Sequence, residues 1–180
     1  MKPSDLELDD DLRRLWEQLI RLRGALRDET WRRFSRVNPS YEDLFDWKEK
    51  GAFVRGENVT MYDSTTVVGN VTIGDNTWIG PFCSLDGTGG LTIGSYCSIS
   101  AGTHIQTHDT VRYAVSGGRA PYDYAPVTIG DCCFLGVNTV VLKGVNVGAH
   151  SVVAAGAVIT ANVEPYSIAA GVPARVLRMR

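Results

Sequence analysis

From Met61 onward a large aliphatic side chain returns every six residues: Met61, Val67, Ile73, Ile79 and Leu85, then, after a shift of two, Ile93, Ile99 and Ile105. After a longer break the rhythm resumes at Ile129, Leu135, Val141, Val147, Val153 and Ile159. Four residues further on a small or β-branched residue usually follows: Thr65, Val71, Thr77, Cys83, Cys97, Thr103, Cys133, Thr139, Val145, Ser151, Ala157 and Val163. A period of six matches neither the 3.6 of an α-helix nor the hairpins of an antiparallel sheet. It matches short strands joined by turns, three to a triangular coil of about 18 residues, with coil stacked on coil. The aliphatic and the small residue both point inward, and a lone coil could not bury them. The pattern therefore predicts a mainly β fold, a parallel β-helix over residues 51–180.

The chain before it follows a different rhythm. Ser4 and Glu7 are spaced as a capping box, and Leu8, Leu12, Leu15, Trp16, Leu19, Leu22 and Leu26 recur at helical intervals. This predicts an amphipathic helix ending before Asn38-Pro39-Ser40, with Ser40 positioned to cap a second short helix through Leu44 and Trp47. Residues 1–50 are thus expected to form a helical cap that packs on the coil or on a neighbouring subunit.

The repeat fails twice. The smaller failure, Asp86-Gly87-Thr88-Gly89-Gly90, falls between Leu85 and Ile93; the larger runs from 109 to 127 and carries Asp109, Tyr113, Ser116-Gly117-Gly118-Arg119, Tyr122, Asp123 and Tyr124. A solenoid accommodates inserted residues by extruding them, and loops fixed to a rigid scaffold are favoured places for binding and chemistry. The larger loop mixes aromatic, acidic and basic groups as a polar-substrate site would.

Composition narrows the class. The 180 residues carry 18 Lys and Arg against 20 Asp and Glu, a formal charge of −2. Without a basic excess, nucleic acid is not an expected partner. No window has the length and apolarity of a bilayer-spanning helix and no secretory leader is recognised, so a soluble, cytoplasmic protein is expected, without membrane insertion. The four cysteines have no CxxC spacing, and three of them occupy the small inward slot, so all four are read as reduced packing residues.

The stretch Thr107-His108-Asp109, the return at Pro126-Val127-Thr128-Ile129-Gly130 and the closing run Ala169-Ala170-Gly171-Val172-Pro173-Ala174-Arg175 together resemble the hexapeptide-repeat acyltransferases. Within that family the chain is most like the sugar O- and N-acetyltransferases that decorate lipopolysaccharide or nucleotide-linked sugars. The resemblance covers about residues 55–180. It implies a left-handed coil, acetyl-CoA as donor substrate with no metal, a homotrimer with sites between subunits, and a sugar or nucleotide-sugar acceptor. At the position of His108 the family has a general base, and an imidazole suits the removal of a proton from a hydroxyl or amino group as it attacks a thioester. Ser84 and Asp86 align with acceptor-binding positions. Asp109, Tyr113, Tyr122 and Tyr124 are further acceptor candidates, the tyrosines by stacking, and His104 is either an acceptor contact or a structural residue. The cofactor arm is expected along Gly136, Val137, Ala155 and Thr160, with Arg175, Arg178 or Lys143 near the nucleotide phosphates, since Ala161 stands where relatives often carry Lys. A backbone N–H at Gly136 is a candidate oxyanion donor. Two other functions are weighed on the same coil: a γ-type carbonic anhydrase-like metalloenzyme drawing on His104, His108 and His150, and a non-catalytic scaffold.

Overall fold

The computed structural model describes residues 9–35, 37 and 50–179. The expected capping box at Ser4 and Glu7 and the second helix through Leu44 and Trp47 lie outside them. The first unit contains α1, Asp10–Phe34, 25 residues long. Asp9 caps it, its carboxylate accepting the Leu12 N–H at 2.9 Å. Asp10 and Asp11 in the first turn and Arg32 and Arg33 in the last complement the helix dipole. Ser35, in the left-handed region, ends the helix by donating its N–H to the Trp31 carbonyl.

The second unit is the solenoid, a left-handed parallel β-helix of about six turns. Its first face stacks Thr60–Met61, Trp78–Ile79, Ser98–Ile99, Phe134–Leu135, Val152–Val153 and Ser167–Gly171 in parallel register. A second face stacks Thr66-Val67, Ser84-Leu85, His104–Ile105, Val140–Val141 and Val158–Ile159. On the third, Thr72-Ile73, Thr92-Ile93, Thr128-Ile129 and Asn146–Val147 align. Every aliphatic residue of the six-residue series is buried except Val67, which is half-buried against the same core.

The small slot does more than save space. At several corners the inward hydroxyl or thiol of the small slot reaches a carbonyl of a neighbouring coil. Thr65 Oγ1 donates to Gly80 O at 2.7 Å and Thr77 Oγ1 to Gly94 O at 2.9 Å. Cys83 Sγ donates to Ser100 O at 3.2 Å, Cys97 Sγ to Gly130 O at 3.2 Å and Cys133 Sγ to Gly148 O at 3.3 Å. Burial pushes the Cys83 thiol up, and contact with Cys133 together with burial does the same for Cys97, so both stay neutral donors. All four cysteines are free.

The two failures of the repeat take different forms. The smaller one is not extruded: Ser84–Ile93 runs as one ten-residue strand around the corner, paired with Thr66–Ile73, and the offset is absorbed by a register shift between Gly69 and Val71. The larger one leaves the coil as an antiparallel pair, His108–Asp109 against Asp123–Tyr124, with a short helix Val111–Val115 between them. The chain rejoins the third face at Val127–Ile129. At the far end Ser167–Gly171 folds back on Ala174–Met179 as an antiparallel hairpin that closes the stack.

Candidate active site

Both irregular segments emerge at the same edge, where the second face turns into the third, because Ser84 pairs with His104 and Leu85 with Ile105. One coil apart, the two departing chains bring Asp86 against His108. Asp86 Oδ2 lies 2.6 Å from His108 Nδ1. Asp86 is 6% exposed, and its remaining capacity is filled by two backbone N–H groups and a hydroxyl: Thr88 N–H and Thr88 Oγ1 donate to Oδ1 at 2.9 and 2.7 Å, Thr107 N–H to Oδ2 at 2.9 Å. Burial by itself would push this carboxyl up, but the two N–H groups, the Thr88 hydroxyl and the imidazole together hold it well below the usual carboxylate range. Asp86 is therefore an anion throughout the neutral range, fixed by donors it cannot leave.

An ionised carboxylate on Nδ1 keeps the proton on that nitrogen and leaves Nε2 as the lone-pair acceptor of the neutral ring. The imidazole keeps 30% of its surface exposed. Tyr124 stacks over it with ring centroids 5.7 Å apart. The close fit of the two segments rests on Gly89: its N–H donates to Thr107 Oγ1 at 2.8 Å, and a side chain there would run into the Thr107 carbonyl oxygen. Asp86, expected as an acceptor contact, is turned towards His108, Thr88 and Thr107. Thr88 and Thr107, which fasten it, were not singled out from the sequence, although Thr107 stands in the quoted motif and Thr88 inside the smaller break.

Asp109 turns elsewhere. Its Oδ1 accepts the Val111 N–H at 3.0 Å and its Oδ2 lies 3.3 Å from Lys143 Nζ, which also donates to Asp123 Oδ2 at 2.5 Å. Lys143 therefore pins both strands of the extruded hairpin to the coil and is committed there, not to a nucleotide phosphate. The hydrogen bond to Asp123 and the contact with Asp109 push its pKa up. Outside this clamp an exposed aromatic row leads away from the base. Tyr124 lies 6.5 Å from Tyr122, and Tyr122 meets Tyr113 edge-on at 5.0 Å.

Ser84 and His104 point outward side by side on the second face, half-buried and exposed respectively, on the coil wall that leads to this edge. Gly136, Val137 and Ala155 gather at a different edge, where the first face turns into the second; a Cβ on Gly136 would stand 2.5 Å from Ala155 N. The Gly136 N–H donates to the Val153 carbonyl at 2.9 Å, so it is not available to an oxyanion. Thr160 returns to the edge of His108, on a later coil, and with Arg175 it lines a pocket of about 430 Å³ between the last coil and the closing hairpin. Arg178 pairs with Ile168 in that hairpin. His150 stacks on Tyr166 at 4.7 Å on the third edge. Among the described residues no group of three or more His, Cys, Asp or Glu is arranged to hold a metal ion, and no helix is long and apolar enough to cross a membrane.

A family model described as the hexapeptide repeat of succinyl-transferase matches residues 70–106 and 126–161, the regular coils on either side of the extruded loop. The regular coils of this chain thus carry that family's hexapeptide repeat. Among curated relatives, galactoside O-acetyltransferase of Escherichia coli (strain K12) is 32% identical over 126 residues, covering 70% of this chain and 50% of that protein. A 2,3,4,5-tetrahydropyridine-2,6-dicarboxylate N-acetyltransferase of Brevibacillus brevis is 38% identical over 82 residues, 46% of this chain and 30% of that one. The chain thus spans half or less of the length of these relatives. Among solved structures, a maltose O-acetyltransferase from Clostridium difficile 630 superposes with a TM-score of 0.64 at 20% identity, covering 95% of this chain and 89% of that one. AntD, an N-acyltransferase from Bacillus cereus solved with dTDP and 3-hydroxybutyryl-CoA, gives 0.61 at 22% identity over 79% and 89%. At these identities the two structures carry the hexapeptide-repeat fold alone.

Proposed function

We propose that this hexapeptide-repeat protein transfers the acetyl group of acetyl-CoA to a hydroxyl or amino group of a sugar, with His108 as general base and Asp86 as the residue that orients it. The observation that carries this reading is the 2.6 Å contact between His108 Nδ1 and a buried, fully donated carboxylate at the one edge where the repeat opens. In the reaction His108 Nε2 accepts the acceptor's proton as its oxygen or nitrogen bonds to the thioester carbonyl carbon. The tetrahedral intermediate then collapses with cleavage of the C–S bond, and the imidazolium returns the proton to the departing CoA sulfur. Asp86 stabilises the imidazolium in between. The named activities of the O- and N-acetyltransferase relatives support the donor and the sugar class.

The placement of the predicted donor-binding residues supports a shared site. His108 and the group of Gly136, Val137 and Ala155 stand on two different edges of the stack, on successive coils, separated by the width of the second face. A threefold ring of copies brings one edge of each chain against another edge of its neighbour and so joins the two groups into a single cleft. In that arrangement Thr160, Arg175 and the pocket they line receive the far end of the CoA. Tyr113, Tyr122 and Tyr124 form the acceptor wall, on which either a sugar ring or a nucleotide base can stack.

Thiol release from acetyl-CoA, followed across hexoses, aminosugars and nucleotide-linked aminosugars, tests donor and acceptor together. Acetyl transfer to a sugar that falls about 10²–10⁴-fold in His108→Ala, with an unchanged fold, is the expected result. Full activity in His108→Ala would refute the assignment of the base, and no release with any sugar would refute the activity.

A further inference from the structure

The first unit exposes a surface that the acyl-transfer reading leaves unused. On α1, Leu12, Leu15, Leu19 and Leu22 are 51, 61, 40 and 53% exposed, on a single stripe. Their spacing is three, four, three, and Leu26 continues it with a further four. A helix packed on a broad surface carries a wider apolar face at a 3.6-residue period, whereas a strict 3.5-residue seam is what one helix presents to another helix of the same kind. Charge along α1 is distributed unevenly. Asp9, Asp10 and Asp11 crowd the beginning, ahead of Arg13 and Arg14, and from position 21 onward Arg21, Arg23, Arg27, Arg32 and Arg33 outnumber Asp28 and Glu29.

We infer that the leucine stripe of α1 docks antiparallel on the same stripe of a second copy of this chain. In that arrangement Leu12 packs on the partner copy's Leu22 and Leu15 on its Leu19, so the whole seam is buried by itself. Asp9, flanking the seam, comes beside the copy's Arg23, and the pairing occurs twice by symmetry. A parallel pairing would bring the acidic beginnings together and forgo both pairs. Charge complementarity therefore selects the antiparallel form. The pairing is isologous, each copy giving and receiving the same surface, so with the proposed threefold ring it joins one ring to a second. It involves no residue of the proposed acetyl-transfer site.

Cysteine cross-linking of the full-length protein tests it. Gln18, beside the seam near its middle, faces its own counterpart, so Gln18→Cys is expected to form a disulfide-linked dimer under mild oxidation, beyond the wild-type background from Cys132. Leu12→Cys mixed with Leu22→Cys under reducing conditions and then oxidised is expected to give the mixed dimer, whereas Leu12→Cys alone is not. Self-linking of Leu12→Cys would overturn the antiparallel arrangement, and no linking at position 18 or in the mixture would overturn the pairing altogether. Light scattering on Leu15→Glu/Leu22→Glu gives an independent reading: the particle mass halves with the circular dichroism spectrum retained. An unchanged mass refutes the inference.

Discussion

Replacing Asp86 by Asn separates an orienting carboxylate from an acceptor-binding one. The two side chains have nearly the same shape, but the amide exchanges one acceptor oxygen for an NH2 group. If that NH2 takes the place of Oδ2, it meets the Thr107 N–H donor-to-donor and donates to His108 Nδ1, which forces the proton onto Nε2 and disables the base. If it takes the place of Oδ1, the histidine tautomer survives, but the Thr88 N–H is left facing a donor. Either choice strands one buried N–H, at roughly 1–3 kcal/mol of stability. Either choice also removes the negative charge that meets the imidazolium as it forms. A charge-assisted hydrogen bond is worth roughly 1.5–3 kcal/mol, so the rate of transfer falls about 10- to 150-fold even in the fraction of molecules with the correct tautomer.

The assay is steady-state thiol release with acceptor varied at saturating acetyl-CoA. The expected result for Asp86→Asn is a fall in kcat with the acceptor KM changed little. Thermal unfolding should show a modest loss of Tm. An acceptor KM raised tenfold or more at unchanged kcat would refute the reasoning. That outcome would return Asp86 to the acceptor-contact role that its sequence alignment suggested.

Other consequences follow from the same geometry. Gly89→Ala drives a methyl group into the Thr107 carbonyl, so it should lower both Tm and kcat, while the same substitution at Gly24, which has open space around it, should leave kcat alone. Lys143→Met frees both strands of the hairpin; the acceptor KM should rise several-fold with CoA affinity unchanged, as measured by titration calorimetry. Because the Lys143 pKa is raised, its contribution is complete below the ordinary lysine value of about 10.4 and is lost only as pH rises beyond it, so loop proteolysis should stay constant up to that point. Asp86 behaves oppositely: its pKa is lowered, so its stabilisation is complete above the unfolded value of about 3.9 and fades as pH falls below, and Asp86→Asn should flatten that limb of the acid-unfolding curve. Ile99→Ala, in the centre of the stack at 0% exposure, should cost about 2–5 kcal/mol by denaturant titration.

Much of this was legible in the residues because a solenoid writes its core as a linear repeat. Each coil buries the same two layers, so Ile79, Ile99, Leu135 and Val153 on one face could be read as a column before any ladder was seen. The break that carries His108 was legible for the complementary reason, since it is where the column stops. The role of Asp86 was hidden by register. Its partner lies 22 positions later, but the local offset between coils is 20, as Ser84 opposite His104 shows, and only the departure of both chains at one edge closes the remaining gap. The Lys143 clamp was hidden by the same non-locality, since a lysine on a later coil meets two aspartates from opposite strands of a hairpin whose path the repeat does not encode. The Gly136 N–H was misjudged because a flexible residue suggested a free donor, whereas in a parallel stack it continues the ladder to Val153.

The two failures of the repeat differ in form because they have different tasks, and they need one another. Extruding the larger segment sets Tyr113, Tyr122 and Tyr124 outside the coil but cannot by itself hold an imidazole, since His108 sits at the base of a two-residue strand pair with solvent on one side. The smaller segment, kept inside the sheet as part of a ten-residue strand, supplies a carboxylate whose position is fixed by the ladder around it. On the proposed reading the general base takes its orientation from the rigid coil and its surroundings from the loop. That division predicts which variants will be separable: changes at Tyr113 and Tyr122 should alter acceptor choice without touching kcat for the acceptors still used, whereas changes at Asp86, Thr88 or Gly89 should lower kcat for every acceptor alike. A loop variant that abolished turnover for all acceptors while leaving the fold intact would show that orientation comes from the loop, and would reverse this assignment.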